Sequence, residues 1–301
     1  MINRRLIRIK VFKLLFSRIH ADARSLAGAG TELLRSFDTT MELYYLLLAL
    51  PVALKKYGIA RIEAGLKKFH PTPQEANPDR RFVENKIVAL WEADKAVWNP
   101  GSKKSLHWPD HPALLRKFYD DFCLRSFEDD IALLHAFYQN ELEENEALNE
   151  LLEEQNLYWA DELGYVLGVI LKSLGEVREG IAWSHPQMFK QEEDKSYALR
   201  LLEMSLLHYD EYLELLGKFA LNWDSERMAA TDICLIVMGV AEVVHFPSIP
   251  VKVTINEVVE LAKYYSTPNS KVFVNGVLDK IVQYLKEEGR VVKEGRGLVD
   301  N

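Results

Sequence analysis

Side chains recur at i, i+3, i+4 and i+7 along much of this 301-residue chain, and no segment sustains the alternation of a strand. Leu201, Met204, Ser205, His208 and Tyr212 share one helical stripe, as do Val258, Leu261, Ala262 and Tyr265. A 3.6-residue period sets such residues on one face, which must be buried against another helix. The 15 Gly and 11 Pro are too few for the turns of a many-stranded sandwich. An all-α fold is expected, with breaks between helical blocks at 27–30, at 70–79 (Pro71, Pro73, Pro78), at 99–112 and at 183–186.

Chemistry-bearing motifs are sparse. Cys123 and Cys234 are the only cysteines, which excludes a disulfide framework or a four-cysteine zinc site and fits a reducing, cytoplasmic setting. The eight histidines are scattered, and His107 and His111 form no HExxH pair. Neither a Gly-rich phosphate loop nor a GxSxG elbow is present. No enzyme activity, metal or cofactor is expected. The longest apolar stretches, 44–54 with Pro51 inside it and 233–241, are shorter than the roughly 20 residues of a spanning helix, so no membrane is expected either. Trp91, Trp98, Trp108 and Trp159 read as packing anchors.

The net charge of -8 hides a strong asymmetry. Residues 1–20 hold no Asp or Glu but carry Arg4, Arg5, Arg8, Lys10, Lys13 and Arg18. Residues 120–162 invert this, with a run of carboxylates punctuated by Leu142, Leu148, Leu151 and Leu152, the pattern of solvated helix faces. On the first helix, Arg4, Arg5 and Arg8 fall within one 100° sector, while Phe12, Leu15, Phe16 and Ile19 continue as a buried stripe. This predicts an exposed arginine face on a rigid support, suited to phosphate because each guanidinium offers a planar fork.

Residues 247–285 are the most specific part of the chain: Ile255-Asn256-Glu257, Glu260-Leu261-Ala262-Lys263, then Phe273-Val274-Asn275-Gly276-Val277-Leu278-Asp279-Lys280. Thr254 and Glu257 have capping-box spacing, and Ser270 can cap the last helix. An exposed Phe273 could stack a base beside Lys271 and free backbone N–H groups; alternatively, its ring packs along the helical seam.

This block resembles the closing helices of the NusB family, and the resemblance extends more weakly through Asn222-Trp223 and 231–242, and to Arg4, Arg5, Arg8 and Leu14-Leu15-Phe16. It implies a NusB-like helical bundle that binds boxA-like single-stranded RNA with NusE, a small-subunit ribosomal protein, in an RNA polymerase antitermination complex. It further implies RNA contacts from Arg4, Arg5, Arg8, Asn269, Ser270, Lys271 and Phe273, and NusE contacts from Phe16 and Asp232. Departures from the family pattern are Val272, Asn269 and Val237, where a basic residue, an acidic residue and an arginine are usual. The expected organisation is a first core helix (1–20), a helical insertion (21–191), the rest of the core (192–288) and a flexible tail (289–301). Two other functions fit parts of the sequence. A NusB-like scaffold without RNA binding would use the acidic insertion for a protein partner. A ribosomal RNA methyltransferase would need a further α/β domain, for which no strand-helix alternation is present.

Overall fold

The structure, a computed structural model, describes residues 1–21, 23–98, 106–159, 161–177, 183–220 and 228–299. Among them the fold is all-α, with one isolated parallel bridge between Ile2 and Phe189. The helices are α1 (Arg4–His20), α2 (Ala29–Leu66), α3 (Pro73–Ala76), α4 (Lys86–Ala93), α5 (Lys95–Trp98), α6 (Pro112–Phe118), α7 (Asp130–Asn140), α8 (Glu146–Gln155), α9 (Leu163–Glu176), α10 (Glu192–Leu207), α11 (Tyr209–Phe219), α12 (Ala230–His245), α13 (Val251–Tyr265) and α14 (Ser270–Glu287). Local capping sets several starts: Asn3, Asn85, Asp129 and Asn145 each accept a backbone N–H in the first turn of α1, α4, α7 and α8.

The chain divides into two units, Met1–Arg35 with Gln187–Asn301, and Ser36–Pro186. In the first, α12 is the central helix. Every residue from 234 to 243 is buried, so this helix is apolar all round, as an element enclosed by others must be. α1, α10, α11, α13 and α14 pack around it. The two ends of the chain therefore share one core.

The second unit is organised by α2, 38 residues long with Pro51 inside it. Proline has no N–H, so the carbonyl four residues earlier loses its helical donor. That carbonyl belongs to Leu47, and the Tyr138 hydroxyl donates to it at 2.9 Å. Trp108 Nε1 donates to the adjacent Leu46 carbonyl (2.9 Å), and Trp159 Nε1 to that of Thr39 (2.8 Å). These buried rings supply apolar area and place their own polar groups on α2 carbonyls, Tyr138 replacing the donor that Pro51 lacks. By length and composition α2 could cross a membrane, which no apolar stretch suggested at sequence level, yet most of its apolar window is buried in protein. Trp91, Trp108 and Trp159 are core residues as expected; the Trp98 side chain lies outside the described set. The acidic run behaves as solvated helix faces around buried Leu142, Leu148 and Leu152, except for Glu162, which is buried and accepts from Thr40 Oγ1 at 2.7 Å.

Two capping expectations are corrected. α13 begins at Val251 behind Pro250, one turn earlier than a Thr254 cap would place it. Ser270 is the first residue of α14 rather than its cap, and its buried hydroxyl donates to Asp232 Oδ2 at 2.8 Å. α14 ends in a Schellman turn: Arg290 N donates to Leu285 O (2.9 Å) and Gly289 N to Lys286 O (3.0 Å), with Gly289 at φ 70°. The following segment, expected to be a flexible tail, turns back onto the first unit. Lys293 is buried and its Nζ donates to the carbonyls of Val243 (2.8 Å) and Phe246 (3.0 Å) at the C-terminal end of α12.

Candidate nucleic-acid interface

Arginines in the first turn of a helix oppose its dipole, so α1 begins with a local conflict that tertiary partners must offset. Arg4 Nε donates to Asp194 Oδ1 at 3.1 Å, and its guanidinium lies 5.0 Å from the Tyr197 ring centre. Arg5 grips Glu257 with two bonds, Nε to Oε2 (2.9 Å) and Nη2 to Oε1 (2.7 Å). The Arg5 hydrogen bonds hold the Glu257 carboxyl below its usual range. Both guanidinium groups still reach solvent, with side chains 43% and 53% exposed.

Arg8 departs from the expected exposed face. It is 3% exposed, its Nε contacts both Glu242 oxygens (3.0 and 3.1 Å), and Nη2 lies 2.8 Å from Oε1. Tyr197 donates a further bond to the same carboxylate. Burial, reinforced by the Glu242 charge, holds the Tyr197 hydroxyl well above its ordinary pKa, so it stays a donor. Arg8 thus belongs to a buried ion pair at the centre of the unit. Lys10, also in the basic helix, is buried too.

Phe273 is likewise corrected as an exposed stacking platform: it is 5% exposed, buried with Val274, Val277 and Leu278 of α14. Ser270 and Asp232 are buried, Phe16 is half-buried, and Asn269 and Lys271 are exposed. Val272, between Lys271 and Phe273, points outward as Lys271 does, at 61% exposed. Asn222 and Trp223 lie outside the described residues.

The predicted residues fall into two groups spaced along α13. Arg5 pairs with Glu257 at the middle of this helix, whereas Phe12 meets Tyr265 at its end, ring centres 5.5 Å apart. α1 therefore runs alongside α13 in the same direction. The turn holding Asn269 and Lys271 follows that end, and along the helix Glu257 and Tyr265 are about 12 Å apart at 1.5 Å per residue. Lys13, 5.7 Å from the Tyr265 ring centre, lies between the groups.

At the arginine end there is an open groove of about 600 Å³ lined by Asn3, Arg4, Arg5 and Arg8 from the start of α1, by Ser248, Ile249, Pro250 and Val253 around the start of α13, by Arg296 and Val299 of the tail, and by one carboxylate, Glu257, which Arg5 neutralises. Two helix N-termini thus converge on a groove that also holds guanidinium groups, an arrangement that favours an anion. Arg296 was not recognisable as part of this site in the sequence, because only the folding back of the tail brings it there. Among the described residues no group of three or more His, Cys, Asp or Glu could hold a metal ion. Both cysteines are buried, and burial raises the Cys234 thiol to about 12, far from thiolate chemistry.

The NusB family model matches residues 176–283. Among similar curated proteins, the transcription antitermination protein NusB of Salinibacter ruber (strain DSM 13855 / M31) is 42% identical over 105 residues, 35% of this chain and 66% of that protein. Its namesake from Chloroherpeton thalassium (strain ATCC 35110 / GB-78) is 38% identical over 106 residues, 35% of this chain and 50% of that protein. That of Symbiobacterium thermophilum (strain DSM 24528 / JCM 14929 / IAM 14863 / T) is 40% identical over 96 residues, 32% of this chain and 63% of that protein. The chain thus spans between half and two thirds of the length of these relatives. No solved structure matches the chain significantly. Residues 176–283 form a domain of the NusB family.

Proposed function

We propose that this chain is a non-catalytic, cytoplasmic transcription antitermination factor that binds boxA-like single-stranded RNA together with NusE, as part of an RNA polymerase antitermination complex. The observation that carries this reading is the groove where the N-termini of α1 and α13 meet Arg4 and Arg5. It offers backbone N–H groups, aligned helix dipoles and partly exposed guanidinium forks to phosphate oxygens. RNA lies along the α1–α13 face, past Lys13, towards Asn269 and Lys271. Arg8 and Phe273 support this surface from within rather than touching RNA, Arg8 by anchoring α1 to α12 and Phe273 by seating the first turn of α14. Ser270 acts through the turn it holds.

Asp232 Oδ1 is buried and has no hydrogen-bond partner among the described residues, a state that costs about 1–3 kcal/mol. A donor from NusE could reach it only after the turn around Ser270 opens, whereas Phe16, half-buried, offers an apolar contact directly. The carboxylates already bound to Arg4 and Arg5 favour the second reading, a protein scaffold without RNA binding. Fluorescence anisotropy with boxA-type and scrambled RNA, with and without NusE and at two salt concentrations, separates the two. The RNA reading predicts salt-sensitive preference for boxA, strengthened by NusE; binding to neither RNA under any of these conditions selects the scaffold.

A further inference from the structure

We propose that the C-terminal segment beyond α14 is a working part of the RNA groove and that Arg296 contacts an RNA phosphate there. The proposal rests on the RNA-binding reading above and concerns residues outside the matched domain, which ends at 283. Three observations carry it.

The segment is built into the fold. The Schellman turn at Gly289 sends the chain back, Lys293 plugs two carbonyls at the end of α12, and Glu294 N donates to Pro247 O at 3.0 Å. Gly297 is buried so closely against Pro247 that an added Cβ would lie 1.9 Å from its carbonyl oxygen. Glycine is the residue this contact admits, and it fixes the backbone next to Arg296.

The anchored segment then forms one wall of the groove, with Arg296 and Val299 lining it opposite the starts of α1 and α13. Arg296 is exposed, and among the described residues its guanidinium makes no hydrogen bond or ion pair. Its neighbours differ: Arg4 is committed to Asp194, Arg5 to Glu257 and Arg8 to Glu242. A phosphate entering the groove must share or displace a carboxylate to bond Arg4 or Arg5. At Arg296 it meets an uncommitted fork, so this contact forms without breaking an existing one.

The test measures RNA affinity of the full chain against salt for the wild type, Arg296→Ala and Arg296→Lys. For single-stranded RNA each neutralised phosphate adds about 0.7 to the slope of log K against log salt, worth about fivefold at 0.1 M relative to 1 M. Arg296→Ala is expected to lower the slope by that amount, and Arg296→Lys to recover it, with thermal stability unchanged because the side chain is exposed. An Arg296→Ala slope equal to the wild type, or a lysine variant no better than the alanine one, overturns the role of the tail while leaving the RNA reading intact. A wild type that binds no RNA overturns both.

Discussion

The two units bury polar groups for different ends. In Ser36–Pro186 the buried donors are mostly neutral aromatic N–H and O–H groups, and they satisfy backbone carbonyls of α2, one of them exposed by Pro51. In the other unit the buried groups include a charge pair, Arg8 against Glu242, with Tyr197 completing the carboxylate. The first arrangement repairs a helix and could be served by any well-placed donor. The second fixes the position of α1, and with it the arginines that flank the groove. Buried ion pairs cost desolvation, so their presence beside the arginine-lined groove reads as positioning rather than as a source of stability.

This contrast can be broken most forcefully at Arg8. Arg8→Met leaves Glu242 as an uncompensated buried charge, and removing one partner of such a pair costs about 3–5 kcal/mol. Urea denaturation should show that loss, whereas a double replacement, Arg8→Met with Glu242→Leu, should recover much of it. In the other unit, Tyr138→Phe keeps the ring and removes the donor to Leu47, at an expected cost of about 1–2 kcal/mol. A loss in Tyr138→Phe as large as that in Arg8→Met would erase the distinction between repair and positioning.

The smallest effect concerns pH. The Glu257 carboxyl is held below 4.5 chiefly by the Arg5 hydrogen bonds. A depressed carboxyl contributes stability that is fully present above its unfolded value and is lost as pH falls through the lower folded value. Acid titration of thermal stability should therefore show a component that Glu257→Gln removes; an unchanged profile would mean that the Arg5 pair has little influence on the fold.

Much of the fold was legible in the sequence because helical periodicity is local. The stripe of α14 and the family motif from Ile255 to Lys280 needed no knowledge of distant residues. The burial of Arg8 was not legible, since its partner Glu242 is 234 positions away and only tertiary packing joins them. Arg4 and Arg5 share its sector, and periodicity could not tell which of the three faces the core. Phe273 posed the same problem at the edge of a stripe, where a small rotation decides between solvent and seam. Arg296 was hidden for another reason: a Gly-rich, charged C-terminal segment resembles a frayed end until Lys293 is seen plugged into the end of α12.

The burial of Arg8 also decides which variant isolates RNA contact. Replacing all three arginines would confuse lost binding with lost folding. The most direct measurement is therefore the salt dependence of boxA-type RNA affinity for Arg4→Ala/Arg5→Ala beside the wild type, with thermal stability recorded for both. The account predicts a folded double variant whose slope of log K against log salt is smaller by about 1.4, two phosphate contacts' worth. A folded double variant with the wild-type slope and affinity would contradict it.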